Sequence, residues 1–244
     1  MKAKGHRVDM RVKDFIATRL SGAATRLAKR AMEIEEANPY PGYERAHHEQ
    51  LPHLFVMELA ASSVIVSIAA IEGIINELFT EVRGSLIQQG QRYGNVSRQA
   101  EDRWDAMWQR GIPSRGFNVI EKGQIALVLA DQPPLPEDSG SVQQLTALLS
   151  LRNSLVHSEP SYQLHGRDLP LAERGTLERR LHGKFALSTM VAETEPFLWR
   201  RVLSAGCAQW AVQTEVDYIN DLYAALGINS CAEIIWENVG GFWP

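Results

Sequence analysis

Residues 141–157 read SVQQLTALLSLRNSLVH, and the spacing of apolar residues in this stretch indicates a helical fold. The apolar stripe, at steps of three and four positions, consists of Leu145, Leu148, Leu149, Leu155 and Val156. Such spacing is typical of an amphipathic helix that buries one face. We therefore predict a helix that ends near His157, because Pro160 stops it just beyond.

An arginine stands on this apolar stripe. At about 100° per residue, Arg152 lies about 20° from Leu145 and about 40° from Leu148. A guanidinium keeps its proton in proteins, so a buried one needs a partner. Asn153 follows it and His157 ends the run, and Arg152, Asn153 and His157 are the candidate functional residues.

A carboxylate interrupts a second apolar face, in the helix predicted over residues 52–83. Glu72 lies within the stripe formed by Ile68, Ile71, Ile75 and Phe79. This position is costly for a carboxylate unless it meets a cation or is protonated. We expect Glu72 to form a bidentate ion pair with Arg152, with Asn76 beside them. Such a pair would either hold Arg152 for function or only fix the register of two helices.

Helical patterns punctuated by Pro and Gly cover the rest of the chain, so the expected fold class is all-α, in one domain over residues 1–244. The other predicted helices cover residues 8–36, 95–111, 118–131, 171–187 and 195–226, before a short turn at 232–238.

The composition is that of an ordinary soluble protein, with 45% hydrophobic and 22% charged residues. Cys207 and Cys231 form no disulfide framework or metal-binding spacing, so we expect reduced thiols and a cytoplasmic protein. No apolar core of a signal peptide follows the N-terminus. The most apolar stretch, residues 59–71, is shorter than the roughly 20 residues of a membrane span, so no membrane association is expected.

Positive charge is concentrated at one end of the chain. The formal net charge is −4, yet the first 30 residues hold nine Lys and Arg residues against two Asp residues. A basic helix on an acidic protein suits an RNA-facing surface, and a solvated face that aids solubility accounts for it equally well.

Two further clusters favour ordinary structural explanations. A metal site would use His47, His48, Glu49 and His53, but their offsets do not share one helix face, so we expect a solvated loop and no metal. An RNA-stacking surface would use Trp104 and Trp108 with Arg98, Arg103 and Arg110. Tryptophans four residues apart are more typical of core packing.

The polar residues at 152–157 have the order of a known family signature. Arg-Asn-x-x-x-His at the end of an apolar helix resembles the motif of HEPN domains (higher eukaryotes and prokaryotes nucleotide-binding). Residues 69–79 resemble the earlier core helix of that family, and residues 119–122 resemble the short helix before the motif. The resemblance covers about residues 55–160 and is weaker at 207–212.

This resemblance implies a helical bundle of HEPN type with a core at residues 52–160 and additional N- and C-terminal helices. Residues 1–50 would form a basic N-terminal helix and loop. Family members usually dimerise with their Arg–His motifs facing each other, and they need no metal or cofactor. Many are endoribonucleases of toxin–antitoxin or phage-defence systems, whereas others are non-catalytic modules that bind nucleotide, RNA or protein. The implied partners are RNA, a second copy and an antitoxin or regulatory protein.

The chemistry implied is cleavage of RNA by its own 2′-hydroxyl. An imidazole exchanges protons near neutral pH, so His157 suits the base or the acid, with His157 of a second copy in the other role. Arg152 would hold the scissile phosphate, and Asn153 would orient His157 or donate to a phosphate oxygen. Glu72 and Asn76 would support Arg152.

Geometry limits how these residues share one site. In a regular helix Arg152 and His157 diverge by about 140°, so the helix must loosen at His157 or a second copy must complete the site. The competing interpretation is that His157 only favours the helix dipole and caps carbonyls. In toxins partnered with nucleotidyltransferases a tyrosine often stands where Glu159 does, so regulation through that tyrosine is not expected here.

Overall fold

A computed structural model describes residues 16–40, 51–81, 96–111, 116–157, 175–193, 195 and 197–228. Every regular element in these ranges is helical, so the predicted all-α class is confirmed. The α-helices are α1 (Ile16–Ala37), α2 (Leu51–Glu81), α3 (Arg98–Gln109), α4 (Val119–Leu129), α5 (Gly140–Val156), α6 (Thr176–Leu181) and α7 (Ala205–Leu226). A kinked segment, Phe197–Arg201, precedes α7.

Helices α1, α2 and α7 pack closely because their facing residues are small. The buried residues of α1 include Ala17, Ala24, Ala28 and Ala31, all on one helical face. The hydroxyl of Ser63 on α2 donates to backbone oxygens on both neighbours, at 3.2 Å to α1 and 3.4 Å to α7. A Cβ added at Gly73 would lie 2.9 Å from the Cβ of Ala17, so the first two helices approach almost to backbone contact there.

Helix α2 is the central apolar element. Its buried residues run along its length, from Val56 near its start to Phe79 near its end. By length and composition alone it is long and apolar enough to cross a bilayer, with a mean hydropathy of 2.2 in its most apolar window. The core helix of a soluble protein passes the same test, and 44% of that window is buried inside this fold.

Helices α3 and α4 each begin directly after a residue whose side chain caps their first turn. The side chain of Ser97 accepts a hydrogen bond from the backbone N–H of Ala100, and Asn118 forms a capping box with Glu121. The indole of Trp104 is fully buried and donates to the carbonyl of Ala126 at 3.0 Å. The core-packing interpretation of Trp104 is therefore correct.

The helical region predicted over residues 195–226 is interrupted before α7. The backbone kinks at Leu198 and Trp199, and Trp199 has φ 66° and ψ −64°, values of the strained classic γ-turn. Helix α7 starts only at Ala205, where the Ser204 hydroxyl accepts from the backbone N–H of Cys207 at 3.0 Å. The carboxylate of Glu35 accepts the backbone N–H of Ala205 at 2.7 Å, so long-range contacts set this start.

The charged helix predicted at residues 171–187 is also shorter than expected. Helix α6 ends at Leu181, because His182 has ψ 126° and Gly183 has φ 72°. Residues 171–174 lie outside the described residues, as do residues 8–15, 82–83 and 232–238 of the other predicted elements.

Candidate functional site

The last turn of α5 presents Arg152 half-buried. Its Nη1 donates to the Oδ1 of Asn153 at 3.0 Å, and its Nε is buried without a hydrogen-bond partner. The buried face of the helix is carried instead by Val142, Leu145, Leu148 and Leu151. The predicted stripe is right at its start and wrong at its end, since Val156 is 48% exposed. Arg152 therefore lies at the edge of the core.

Asn153 and His157 are exposed on the far side of the same turn. The backbone N–H of His157 donates to the carbonyl of Asn153 at 2.9 Å, and the φ and ψ of His157 are −113° and 40°. The helix thus leaves regular geometry at His157, as a shared site with Arg152 requires. Glu159 and Pro160 lie outside the described residues.

The expected ion pair between Glu72 and Arg152 is wrong. The Oε1 of Glu72 lies 2.5 Å from the Nζ of Lys122 on α4, whose side chain is only 4% exposed. A nearly buried ammonium needs an anion, and Glu72 supplies it while keeping 44% of its own side chain exposed. Asn76 does not bond to Arg152 either, and its buried Oδ1 has no hydrogen-bond partner.

Arg180 of α6, a cation that the sequence analysis did not identify, lies beside the end of α5. The Nη1 of Arg180 donates to the hydroxyl of Ser150 at 2.7 Å. Ser150 lies three and seven residues before Asn153 and His157, so all three share one face of α5. The pattern of residues 171–187 predicted a charged helix. It did not indicate that this helix would contact α5, because the contact joins residues 30 positions apart.

Two contacts hold α6 and the residues directly after it in this position. Leu181 is buried in the main core with 1% exposure. The Nζ of Lys184 donates to the Oε1 of Gln144 on α5 at 3.1 Å. The same oxygen accepts the indole N–H of Trp210 on α7 at 2.8 Å, which links α5 to α7. Desolvation by burial lowers the pKa of Lys184. The segment from α6 to Lys184 is thereby tied to the core and to α5.

Of the four residues weighed as metal ligands, only His53 lies within the described residues. His53 is buried in the first turn of α2, not in a solvated loop, and its Nε2 lies 2.9 Å from the carbonyl oxygen of Arg200. Burial lowers its pKa. Residues 47–49 lie outside the described residues, and within the described ranges no three metal-ligating side chains cluster.

Charged residues of α1 and the thiols have ordinary surroundings. The described basic residues of the N-terminal segment, Arg19, Arg26, Lys29 and Arg30, are all exposed on α1, and Arg30 pairs with Glu33 at 3.0 Å. The thiol of Cys207 is buried, and this burial raises its pKa. Cys231 and residues 1–15 lie outside the described residues.

A buried carboxyl lies away from this site. Glu215 of α7 is 2% exposed, and the hydroxyl of Ser21 on α1 donates to its Oε1. Burial raises the pKa of Glu215 to about 7, against the opposing effect of the hydroxyls of Ser21 and Ser67. Its position, three residues before the fully buried Tyr218, was the signal in the sequence that it faces the core.

Comparison with known proteins adds no relative: no family model, curated protein or solved structure matches this chain.

Proposed function

We propose that this protein is a metal-independent endoribonuclease of HEPN type that cuts RNA with Arg152, Asn153 and His157. The observation that carries the proposal is the openness of the α5 terminus. Asn153 and His157 are exposed, and within the described residues the guanidinium of Arg152 has one hydrogen bond, to Asn153. A site packed shut by the core would have excluded an RNA phosphate.

In the proposed reaction, His157 takes the proton of the 2′-hydroxyl while the 2′-oxygen attacks phosphorus. The bond from phosphorus to the 5′-oxygen breaks, and that oxygen takes a proton from His157 of a second copy. The products are a 2′,3′-cyclic phosphate and a 5′-hydroxyl. Arg152 offsets the negative charge that builds on the phosphate oxygens, and Asn153 keeps Arg152 at the helix end.

Glu72 has no part in this proposal, because it is paired with Lys122. A toxin or phage-defence setting, with an antitoxin or another regulator, follows from the resemblance to HEPN proteins and is part of the same proposal. So are a homodimer and a cytoplasmic location.

Cleavage of a mixed RNA substrate in EDTA tests the proposal, with analysis of the product ends. We expect wild-type protein to leave cyclic phosphate and His157→Ala to leave the RNA intact. His182→Ala removes the exposed histidine at the end of α6 and is the matched control, expected to cleave normally. Cleavage by His157→Ala at the wild-type rate would contradict the site.

The second candidate is a non-catalytic HEPN-like module that binds RNA, nucleotide or a protein partner. The observation that favours it is the weak support of Arg152, whose hydrogen bond within the described part of the chain is to its own sequence neighbour and not to a residue of another helix. Catalysis depends on a preorganised cation, whereas binding tolerates a mobile one. RNA binding without cleavage by wild-type protein would favour this function.

A further inference from the structure

One surface adjoining the candidate site has a strong local excess of positive charge. It is formed by Ser150 and Asn153 of α5, His157 directly after α5, Arg180 of α6, which donates to Ser150, and Arg179 beside it in the sequence, and we call it the α5–α6 basic surface. Within α5 and residues 175–184, the charged residues are the cations Arg152, Arg179, Arg180 and Lys184 and one carboxylate, Glu178. This excess lies on a chain whose formal net charge is −4.

The guanidinium groups of Arg179 and Arg180 have more N–H donors than the hydrogen bonds that they form with described residues. A guanidinium has five N–H donors. Arg180 donates one of these N–H groups to the hydroxyl of Ser150, at 2.7 Å, and Arg179 donates one to the hydroxyl of Thr176, at 3.4 Å. Neither forms an ion pair with a described carboxylate, and both side chains are exposed. The fork of an arginine matches a phosphate, so these donors suit phosphodiester oxygens.

The surface also has a defined length and direction. Ser150 and His157 are seven residues apart on one face of α5, which is about 10 Å along the helix axis. That distance equals about three stacked nucleotides of a nucleic-acid strand. Since Leu181 and Lys184 tie α6 to the core, Arg180 is held at one end of this path and His157 at the other.

We propose that the α5–α6 basic surface binds the phosphate backbone of single-stranded RNA, with Arg179 and Arg180 on phosphates neighbouring the one cut between Arg152 and His157. The inference rests on the proposed function for its choice of RNA. It adds that two arginines outside the family motif determine substrate affinity and select a polymer over a dinucleotide.

The test is binding of a labelled, fully 2′-O-methylated RNA 12-mer, which cannot be cleaved, to wild-type protein across a salt series. Arg179→Gln/Arg180→Gln should bind about tenfold more weakly at 0.1 M salt. It should also flatten the slope of log affinity against log salt by about 1.4, the value for two phosphate contacts on a single strand.

The control Arg200→Gln/Arg201→Gln removes the same charge from two neighbouring, half-buried arginines in the segment Phe197–Arg201. It should bind like the wild type if the effect is local. Equal weakening by both double variants would overturn the inference, because net charge alone would then explain it. Absence of RNA binding by wild-type protein would also overturn it.

Cleavage separates this inference from the proposed function. If the 12-mer binds through Arg179 and Arg180 but unmodified RNA stays intact, the surface stands and the ribonuclease proposal fails. If unmodified RNA is cut equally well by wild-type protein and Arg179→Gln/Arg180→Gln, the ribonuclease stands and the surface inference fails.

Discussion

Lys122 and Glu72 form the ion pair that links α4 to α2, with Nζ and Oε1 2.5 Å apart. The two side chains are unequally exposed, at 4% for the lysine and 44% for the glutamate. The pair therefore lies at the edge of the core, with its cation inside and its anion open to water. This asymmetry predicts unequal effects of removing either partner.

Glu72→Ala should lower the free energy of unfolding by about 1–2 kcal/mol, because it leaves a nearly buried ammonium without its anion. Lys122→Met should lower the free energy of unfolding by less than about 1 kcal/mol, since an apolar side chain of similar length fills the same space. Urea denaturation of both variants and of the double variant measures this. An equal loss in the two single variants would show that the lysine is not the buried partner.

Arg152→Ala should remove RNA cleavage and lower the free energy of unfolding by less than about 1 kcal/mol. The reason is that, among the described residues, Arg152 bonds only to exposed Asn153, so no described buried anion loses its partner. Thermal unfolding beside the cleavage assay separates the two effects, and Asn153→Ala serves as the control for the lost hydrogen bond. A loss of several kcal/mol would mean that the guanidinium has a buried partner after all.

The buried Glu215 predicts a pH dependence of stability. Its pKa is raised by burial from an ordinary value of 4.5 to about 7, so between these values the folded chain binds the proton and the unfolded chain does not. Stability from this group is therefore complete below about pH 4.5 and decreases as the pH rises to about 7. The decrease amounts to about 3 kcal/mol.

Glu215→Gln provides the measurement, because glutamine stays neutral at every pH. The difference in unfolding free energy between wild type and variant should shift by roughly 2–3 kcal/mol in favour of the variant from pH 5 to pH 8. Urea denaturation at pH 5, 6.5 and 8 gives this difference. A constant difference would show that the Glu215 carboxyl ionises in the folded protein as it does in the unfolded chain.

Two helix-starting glycines should respond oppositely to alanine. A Cβ at Gly206 would lie 2.4 Å from the backbone oxygen of Ala186, so Gly206→Ala should lower the free energy of unfolding by about 1–3 kcal/mol. A Cβ at Gly140 meets nothing within 4 Å, so Gly140→Ala should be neutral or stabilise by up to about 1 kcal/mol. The melting temperatures of the two variants measure this. An unchanged melting temperature of Gly206→Ala would mean that the segment around Ala186 moves aside at little energetic cost.

Much of the fold was predictable, because helix signals are local. The caps at Ser97 and Asn118 and the apolar spacing of α5 each act within one or two turns. The break before α7 was not predictable. It depends on Glu35, which lies 170 positions from the N–H that it accepts at Ala205.

The candidate site divides in the same way. Arg152, Asn153 and His157 were identifiable because an arginine interrupts an apolar stripe and a histidine ends it. The solvent exposure of these three residues was not predictable, because it depends on how much of the last turn of α5 is buried against the other helices. The partner of Glu72 was wrongly predicted because two cations were possible and a stripe pattern does not say which helix lies opposite.

By itself the sequence determined that the chain is helical and where most of its helices lie, because backbone hydrogen bonds and side-chain periodicity act over a few residues. Only the tertiary structure decided how charged residues meet. Lys122 meets Glu72 across 50 positions, Arg180 meets Ser150 across 30, and Glu215 meets Ser21 across 194. Such contacts depend on the packing of whole helices, which no local pattern records.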